Sequence, residues 1–224
     1  DVYNEGLSTA KALHIDYPQA IPAAFHIDPT ACLFLTRQEC KQCERVCAAQ
    51  AIDFSQQKTT QEFEIGAVIL APGFEPFDPR AKGTYGYGRF PNVVTSLEFE
   101  RLINAGGPTK GKLIRPTDRR IPKSVGFIQC VGSRSARKGS RYCSNTCCMN
   151  TIKSTLVLKE HYPDIDIKVF YIDIRAFGKG FEELLMRSKS NGVRYIRGLP
   201  GDVREDPANG NLRLTVENTT ANRL

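Results

Sequence analysis

The clearest hydrophobic pattern lies in the last third of the chain. Residues 124–130 form a short apolar run around Val125, Phe127 and Ile128, which predicts a buried strand. Residues 143–161 place Ile152, Leu156 and Leu158 at helical spacing. Residues 165–173 alternate and are β-branched, 180–191 read as a helix stopped by Gly192, and 193–196 as a short third strand. Strand–helix–strand–helix–strand predicts parallel pairing and a doubly wound α/β sheet. Upstream, 61–70 reads as a strand that ends in the apolar run Ala67, Val68, Ile69, Leu70 and breaks at Pro72 and Gly73. Residues 96–104 have helical spacing (Leu97, Phe99, Leu102, Ile103) behind a Ser96 N-cap. The segments 76–91 and 106–122 read as loops, the second one basic. Residues 211–218 alternate through Leu212, Leu214 and Val216 as a strand that closes nothing.

Composition adds bounds. The 224 residues suffice for one large domain or two small ones, and 41% hydrophobic with 25% charged residues is ordinary for a globular protein. No apolar run approaches the roughly 18 residues of a spanning helix, and no leader opens the chain. A cytoplasmic setting is expected, where clustered cysteines mean metal rather than disulfides. Residue 1 is Asp and both ends read as cut, so the sequence reads as an internal piece of a longer protein. His14, His26 and His161 have no carboxylate, cysteine or serine partner in a catalytic pattern, and Glu182 and Glu183 read as solvent-facing.

The chemistry lies in eight cysteines that fall in two sets of four. In the first, Cys32 precedes Cys40-x2-Cys43-x3-Cys47, resembling the second half of a bacterial ferredoxin run. The interval after Cys32 is longer than usual, and Ala48 stands where proline commonly follows the last cysteine. Zinc is the rival, but zinc sites favour paired Cys-x2-Cys knuckles and one such pair exists here. In two-cluster ferredoxins the last cysteine of a run serves the other cluster, so Cys47 is open to such a swap.

The second set is Cys130, Cys143, Cys147 and Cys148. The turn Ala71-Pro72-Gly73, ending an apolar strand, resembles the flavin-approaching turn of flavoprotein disulfide reductases, where small residues let the backbone come close. In those proteins a nicotinamide-binding unit follows, whose first strand leads into G-x-G-x-x-G. Here the strand leads into Cys130-Val-Gly-Ser-Arg134, and Gly132 alone is left of that fingerprint. Cysteines stand where a pyrophosphate would lie, at a helix N-terminus that favours anions. A cluster in place of the nicotinamide is the expectation; a vicinal disulfide or a redox-active dithiol at Cys147 and Cys148 is the alternative. Asp173 ends the second strand, where a dinucleotide fold places a ribose-binding acid; without the glycine fingerprint it reads as structural.

The formal charge of +7 invites a nucleic-acid reading, but no recognition helix or aromatic–basic interleaving accompanies it. Two clusters and one flavin dinucleotide, each near −2, would bring it to roughly +1.

Phe127-Ile-Gln-Cys-Val-Gly-Ser-Arg134, Tyr142-Cys-Ser-Asn-Thr-Cys-Cys-Met149 and Asp173-Ile-Arg-Ala-Phe-Gly-Lys-Gly-Phe-Glu-Glu183 together resemble the heterodisulfide reductase family, in its flavin-bearing A component. Tyr17-Pro-Gln-Ala-Ile-Pro22 and Tyr85-Gly-Tyr-Gly88 look like it too. The resemblance implies a thioredoxin-reductase-like flavoprotein core with part of an inserted bacterial-type ferredoxin domain. It divides the chain into ferredoxin insert (1–60), return to the FAD-binding domain (61–123), a degenerate nicotinamide-type domain holding a [4Fe-4S] cluster (124–200) and the start of a further strand segment (201–224). Cys32, Cys40, Cys43 and Cys47, and Cys130, Cys143, Cys147 and Cys148, would be ligands; Ala71, Pro72 and Gly73 would approach FAD, and Lys153 would stabilise its reduced anion. Implied partners are the disulfide-reducing and electron-donor subunits and ferredoxin, in a homo-oligomer of the larger complex, with flavin-based electron bifurcation. A non-bifurcating relative feeding quinone- or sulfur-linked transfer is one alternative, and a zinc-stapled basic binding module is another.

Overall fold

The computed structural model describes residues 1–220. It divides into two compact units, Asp1–Glu75 and Pro76–Leu224. The first holds a two-stranded antiparallel ribbon, β1 (Leu13–His14) and β2 (His26–Ile27), then two one-turn helices, α1 (Leu33–Arg37) and α2 (Gln42–Val46). Neither helix buries a residue. Phe34 packs against Phe54, ring centroids 4.6 Å apart, with the Lys41 ammonium over both rings.

The strand expected over 61–70 is not formed. Val68, Ile69 and Leu70 are exposed, Ile69 at 93%. A strand exists only when a neighbour takes its N–H and C=O groups. Among the described residues no sheet offers that neighbour.

In the second unit a 3-10 helix, Pro79–Tyr85, lies in the segment read as irregular loop, started by Asp78, whose carboxylate accepts from the Arg80 N–H. Helix α3 (Ser96–Ile103) is capped by Thr95 rather than Ser96. Thr95 Oγ1 accepts from the Glu98 N–H while the Glu98 carboxylate accepts from the Thr95 N–H, a reciprocal box that a Thr three residues before a Glu makes possible.

Then β3 (Ser124–Ile128), α4 (Cys147–His161), β4 (Asp166–Tyr171), α5 (Phe181–Ser190) and β5 (Arg194–Arg197) build a parallel sheet in the order β3-β4-β5. Both crossovers step in the same direction. With right-handed connections that puts both helices on one face, and a 2.9 Å hydrogen bond between Thr155 of α4 and Ser188 of α5 joins them there. The α/β expectation with a parallel sheet is met, and this three-stranded sheet carries α4 and α5 on the same face. The helix face is the core: Ile167 and Val169 of β4 are fully buried with Leu158, Phe99, Leu113, Ile165 and Val193. Each such side chain contributes about 1.5–3 kcal/mol by leaving water.

The opposite face is approached by an antiparallel hairpin, β6 (Pro200–Glu205) and β7 (Leu212–Val216). A methyl on Gly126 would lie 3.3 Å from the Phe170 ring and 4.0 Å from Leu214. The sequence pattern does not predict β6, so the alternation of β7 does close a pair. The turn of this hairpin is held by Arg115 of the basic loop, which donates to Asn211 Oδ1 (3.0 Å) and Asn209 O (2.6 Å), and by Asn92, which donates to Gly210 O (2.8 Å). No helix among the described residues is long and apolar enough to cross a membrane.

Candidate metal centre

Strand β3 stops where the backbone turns over. The Gln129 N–H still donates to Phe170 O at 2.9 Å, and Cys130 then takes φ +58°. Gly132 (φ +84°) and Arg134 (φ +54°) repeat the left-handed conformation at alternate residues. Turns of this kind bring N–H groups to one concave side and recur where anions and iron–sulfur clusters bind. A non-glycine residue held there is strained by roughly 1–3 kcal/mol, so its surroundings must impose it.

Those surroundings are tight. The loop from Cys130 to Cys143 is stitched by Arg134 N–H to Tyr142 O (3.0 Å), Ser135 N–H to Ser140 O (3.0 Å) and Ser140 N–H to Gly132 O (2.8 Å). Gly139 lies on this turn: a Cβ there would sit 2.2 Å from the Gly132 carbonyl oxygen. A Cβ on Gly132 would enter the Phe77 ring, and Lys138 Nζ donates to Ala81 O at 2.7 Å, so the segment around the 3-10 helix backs this loop.

Helix α4 begins at Cys147, not Cys143. Asn145 at φ +60° interrupts the run, and its N–H points at Cys143 Sγ, 3.4 Å away. The N-cap Thr146 makes no side-chain capping bond, so first-turn N–H groups are left for another acceptor. Cys130 and Cys148 are buried, Cys143 and Cys147 partly so. Cys147 accepts from the thiols of Cys130 and Cys148, which pushes its own thiol far down. The same bonds, with burial, push Cys130 and Cys148 up. Metals bind cysteine as thiolate, so a bound metal would displace the protons of these sulfurs.

Around this centre sit residues that spacing alone did not single out. Arg134 pairs with Asp173, which also holds Arg175 at 3.3 Å. The backbone N–H of Arg175 faces Cys148, and Tyr85 lies close enough for burial and then Cys130 to raise its hydroxyl. Gln129, buried, donates to Thr151 Oγ1 of α4 at 2.7 Å and ties strand end to helix. The structural role expected of Asp173 takes the form of ion pairing to two arginines.

Lys153 lies on α4 with its ammonium 3.0 Å from Glu100 Oε2 of α3, and Asn150 donates to the same oxygen at 3.3 Å. Ala71, Pro72 and Gly73 are exposed in the first unit, Gly73 at φ +75° with open space around it. In the first cysteine set, Cys32 is buried at the N-cap of α1, Cys40 and Lys41 take φ +86° and +88°, Cys43 is on α2 and Cys47 ends it. Backbone N–H groups of Gln42 and Ala51 point at Cys40 Sγ (3.5 Å) and Cys47 Sγ (3.4 Å). Glu182 and Glu183 are exposed as expected.

His14 and His26 differ from expectation. Their strands pair them directly, ring centroids 4.5 Å apart, and His26 Nε2 lies 3.6 Å from Asp16 Oδ1. The i, i+2 spacing of His14 and Asp16 was the available signal.

No family model matches the chain. Curated proteins do. The A subunit of the H(2):CoB-CoM heterodisulfide,ferredoxin reductase of Methanothermobacter thermautotrophicus is 45% identical over 215 residues, 96% of this chain and 31% of that protein. One of two iron-sulfur A subunits of CoB–CoM heterodisulfide reductase in Methanopyrus kandleri is 48% identical over 97% of this chain and 32% of its own length. The A subunit of the ferredoxin:CoB-CoM heterodisulfide reductase of Methanosarcina mazei is 39% identical over 99% of this chain and 27% of its own. The chain thus spans about a third of the length of the curated relatives it matches. By identities that run across nearly its whole length, the chain is a homologue of the A subunit of heterodisulfide reductase.

Proposed function

We propose that this chain contributes the cluster-bearing part of an electron-transferring iron–sulfur flavoprotein, the A subunit of a heterodisulfide-reductase-type complex. The observation that carries the reading is the placement of Cys130 just after β3, Cys143 in the turn before α4, and Cys147 and Cys148 in its first turn. That is the position at which related α/β folds bind a pyrophosphate.

A cubane suits the residue pattern better than a single zinc, because zinc sites favour paired Cys-x2-Cys knuckles and the sequence has one such pair, Cys40 with Cys43. N–H groups directed at sulfur, the open first turn of α4 and the left-handed residues of the Cys130 turn all suit an anionic cluster. Cys130, Cys143, Cys147 and Cys148 would hold one [4Fe-4S] cluster; Cys32, Cys40, Cys43 and Cys47 would supply ligands in a ferredoxin-type insert, with Cys47 free to serve a neighbouring cluster.

In this reading residues 1–60 belong to the insert and 124–200 to a nicotinamide-type domain that has exchanged its dinucleotide for a cluster. Residues 61–123 return to the FAD-binding domain of a thioredoxin-reductase-like core. Val68, Ile69 and Leu70 then pair into the flavin sheet, and Ala71, Pro72 and Gly73 let the backbone approach FAD. Bound FAD would supply bifurcation, dividing an electron pair between ferredoxin at low potential and a disulfide at higher potential. The chain's own residues position and insulate: Arg134 and Asp173 fix the Cys130 turn, Gln129 locks it to α4, and Glu100 holds the Lys153 ammonium for the reduced flavin. The partners would be disulfide-reducing and electron-donor subunits and ferredoxin, in a cytoplasmic complex.

Iron, acid-labile sulfide and flavin content of the anaerobically purified full-length protein test this. Near-stoichiometric FAD, equimolar iron and sulfide, and loss of about four iron per chain in Cys147→Ala are expected. Zinc without sulfide would overturn the reading in favour of a zinc-stapled module. Strongly crossed one-electron flavin potentials support bifurcation; uncrossed ones favour a non-bifurcating component feeding quinone- or sulfur-linked transfer.

A further inference from the structure

We propose that His14, Asp16 and His26 form a binding site for a divalent transition cation of the zinc class, separate from the cysteines. Among the described residues these are the only three His, Cys, Asp or Glu side chains whose ligand atoms all lie within 4.8 Å of one another. The register of the ribbon creates the site. His14 and His26 are direct cross-strand partners, which places Cβ atoms about 4.5–5.5 Å apart on one face. Asp16, in the bend just after β1, brings its carboxylate to the same pair, 3.6 Å from His26 Nε2.

The distances suit a metal. Two ligands on a tetrahedral zinc at about 2.0–2.1 Å stand about 3.4 Å apart, and His26 Nε2 to Asp16 Oδ1 is 3.6 Å. The imidazoles lie 4.5 Å apart, tilted by 60°, so two rings can direct nitrogens to a common point without stacking. His14 Nδ1 is buried and makes no hydrogen bond, so bonding capacity on that ring is unspent inside the fold, which is costly for a polar atom. Two neutral imidazoles and one carboxylate match the three-ligand pattern of zinc and related cations, with further positions open to solvent; His26 and Asp16 are 46% and 70% exposed. A bound cation would clip a ribbon whose strands have only two residues each.

The test is zinc uptake by the untagged, cluster-loaded full-length protein, in parallel with His26→Ala and Asp16→Asn, exposed positions whose replacement spares the core. Expected are one zinc equivalent more in the parent than in His26→Ala, affinity weaker by more than about a hundredfold in that variant, and a zinc X-ray absorption shell of nitrogen and oxygen only. Equal uptake by parent and both variants, or a sulfur shell, would overturn the site. Iron and sulfide content, unchanged in both variants, reports on the cysteine clusters independently, so the two readings fail separately.

Discussion

At the scale of single residues, one hydroxyl and one glycine carry more than their size suggests. Ser188, fully buried, stands between Thr155 Oγ1 and the Tyr195 hydroxyl, 2.9 Å from each, and so links α4, α5 and β5. Ser188→Ala removes one bond from buried Thr155, which keeps Ile152 O, and one from half-buried Tyr195, and a stability loss of about 1 kcal/mol is expected from urea unfolding. Gly139 is conditioned by its neighbour: at φ +94°, with the Gly132 carbonyl where a Cβ would go, it admits no side chain without moving the Cys130 turn. Gly139→Ala is expected to strain that turn by about 1–3 kcal/mol and release iron from the second cysteine set, while far-UV circular dichroism keeps the sheet. Neither position was legible in the sequence. A serine in an amphipathic helix and a glycine in a basic loop look like ordinary surface residues until their neighbours are placed.

At the scale of elements, the parallel sheet is tied at one edge by charge. Asp166, at the start of β4, receives Arg194 of β5 through a guanidinium nitrogen 2.7 Å from both carboxylate oxygens, and Lys168 lies beside it. Arg194 first, and then Lys168, hold its carboxyl down at about 2. A folded value below the unfolded one of about 3.9 means the contribution is present above about pH 4 and lost as pH falls towards 2. With the side chain 37% exposed, solvent screening reduces it to about 1 kcal/mol. Asp166→Asn is expected to lower stability by that amount at neutral pH and to flatten the acid limb between about pH 4 and 2, as urea midpoints across pH would show. The elements themselves were largely readable. Periodicity located β3, α4, β4, α5, β5 and β7 within a few residues, because each buries one face against the next. It failed at β6, whose polar sequence is a strand because β7 pairs with it, and at 61–70, whose apolar sequence is not one because nothing does.

For the whole chain, the two units differ in what holds them. The second has a contiguous core of Phe99, Leu158, Ile167 and Val169 that involves no cysteine. The first places Cys32, Cys40, Cys43 and Cys47 on or beside helices of five residues that bury nothing, far below the roughly 12–15 residues at which an isolated helix becomes marginal. If clusters occupy both sets, metal binding contributes directly to folding in the first unit and only locally in the second. Removing iron with a chelator under oxidation is therefore expected to abolish amide-exchange protection in residues 29–54 while α4 and β4 keep theirs. Loss of protection in both, or in neither, would refute that division.

The sequence by itself determined the cysteine inventory, the parallel βαβ order and the homology, since these depend on residue identity and local period. The tertiary structure decided that Cys130 and Cys148 lie beside Cys147, which side of the sheet the helices take, and that His14, Asp16 and His26 meet. Those outcomes depend on strand register and loop closure, which bring together residues that no local spacing relates.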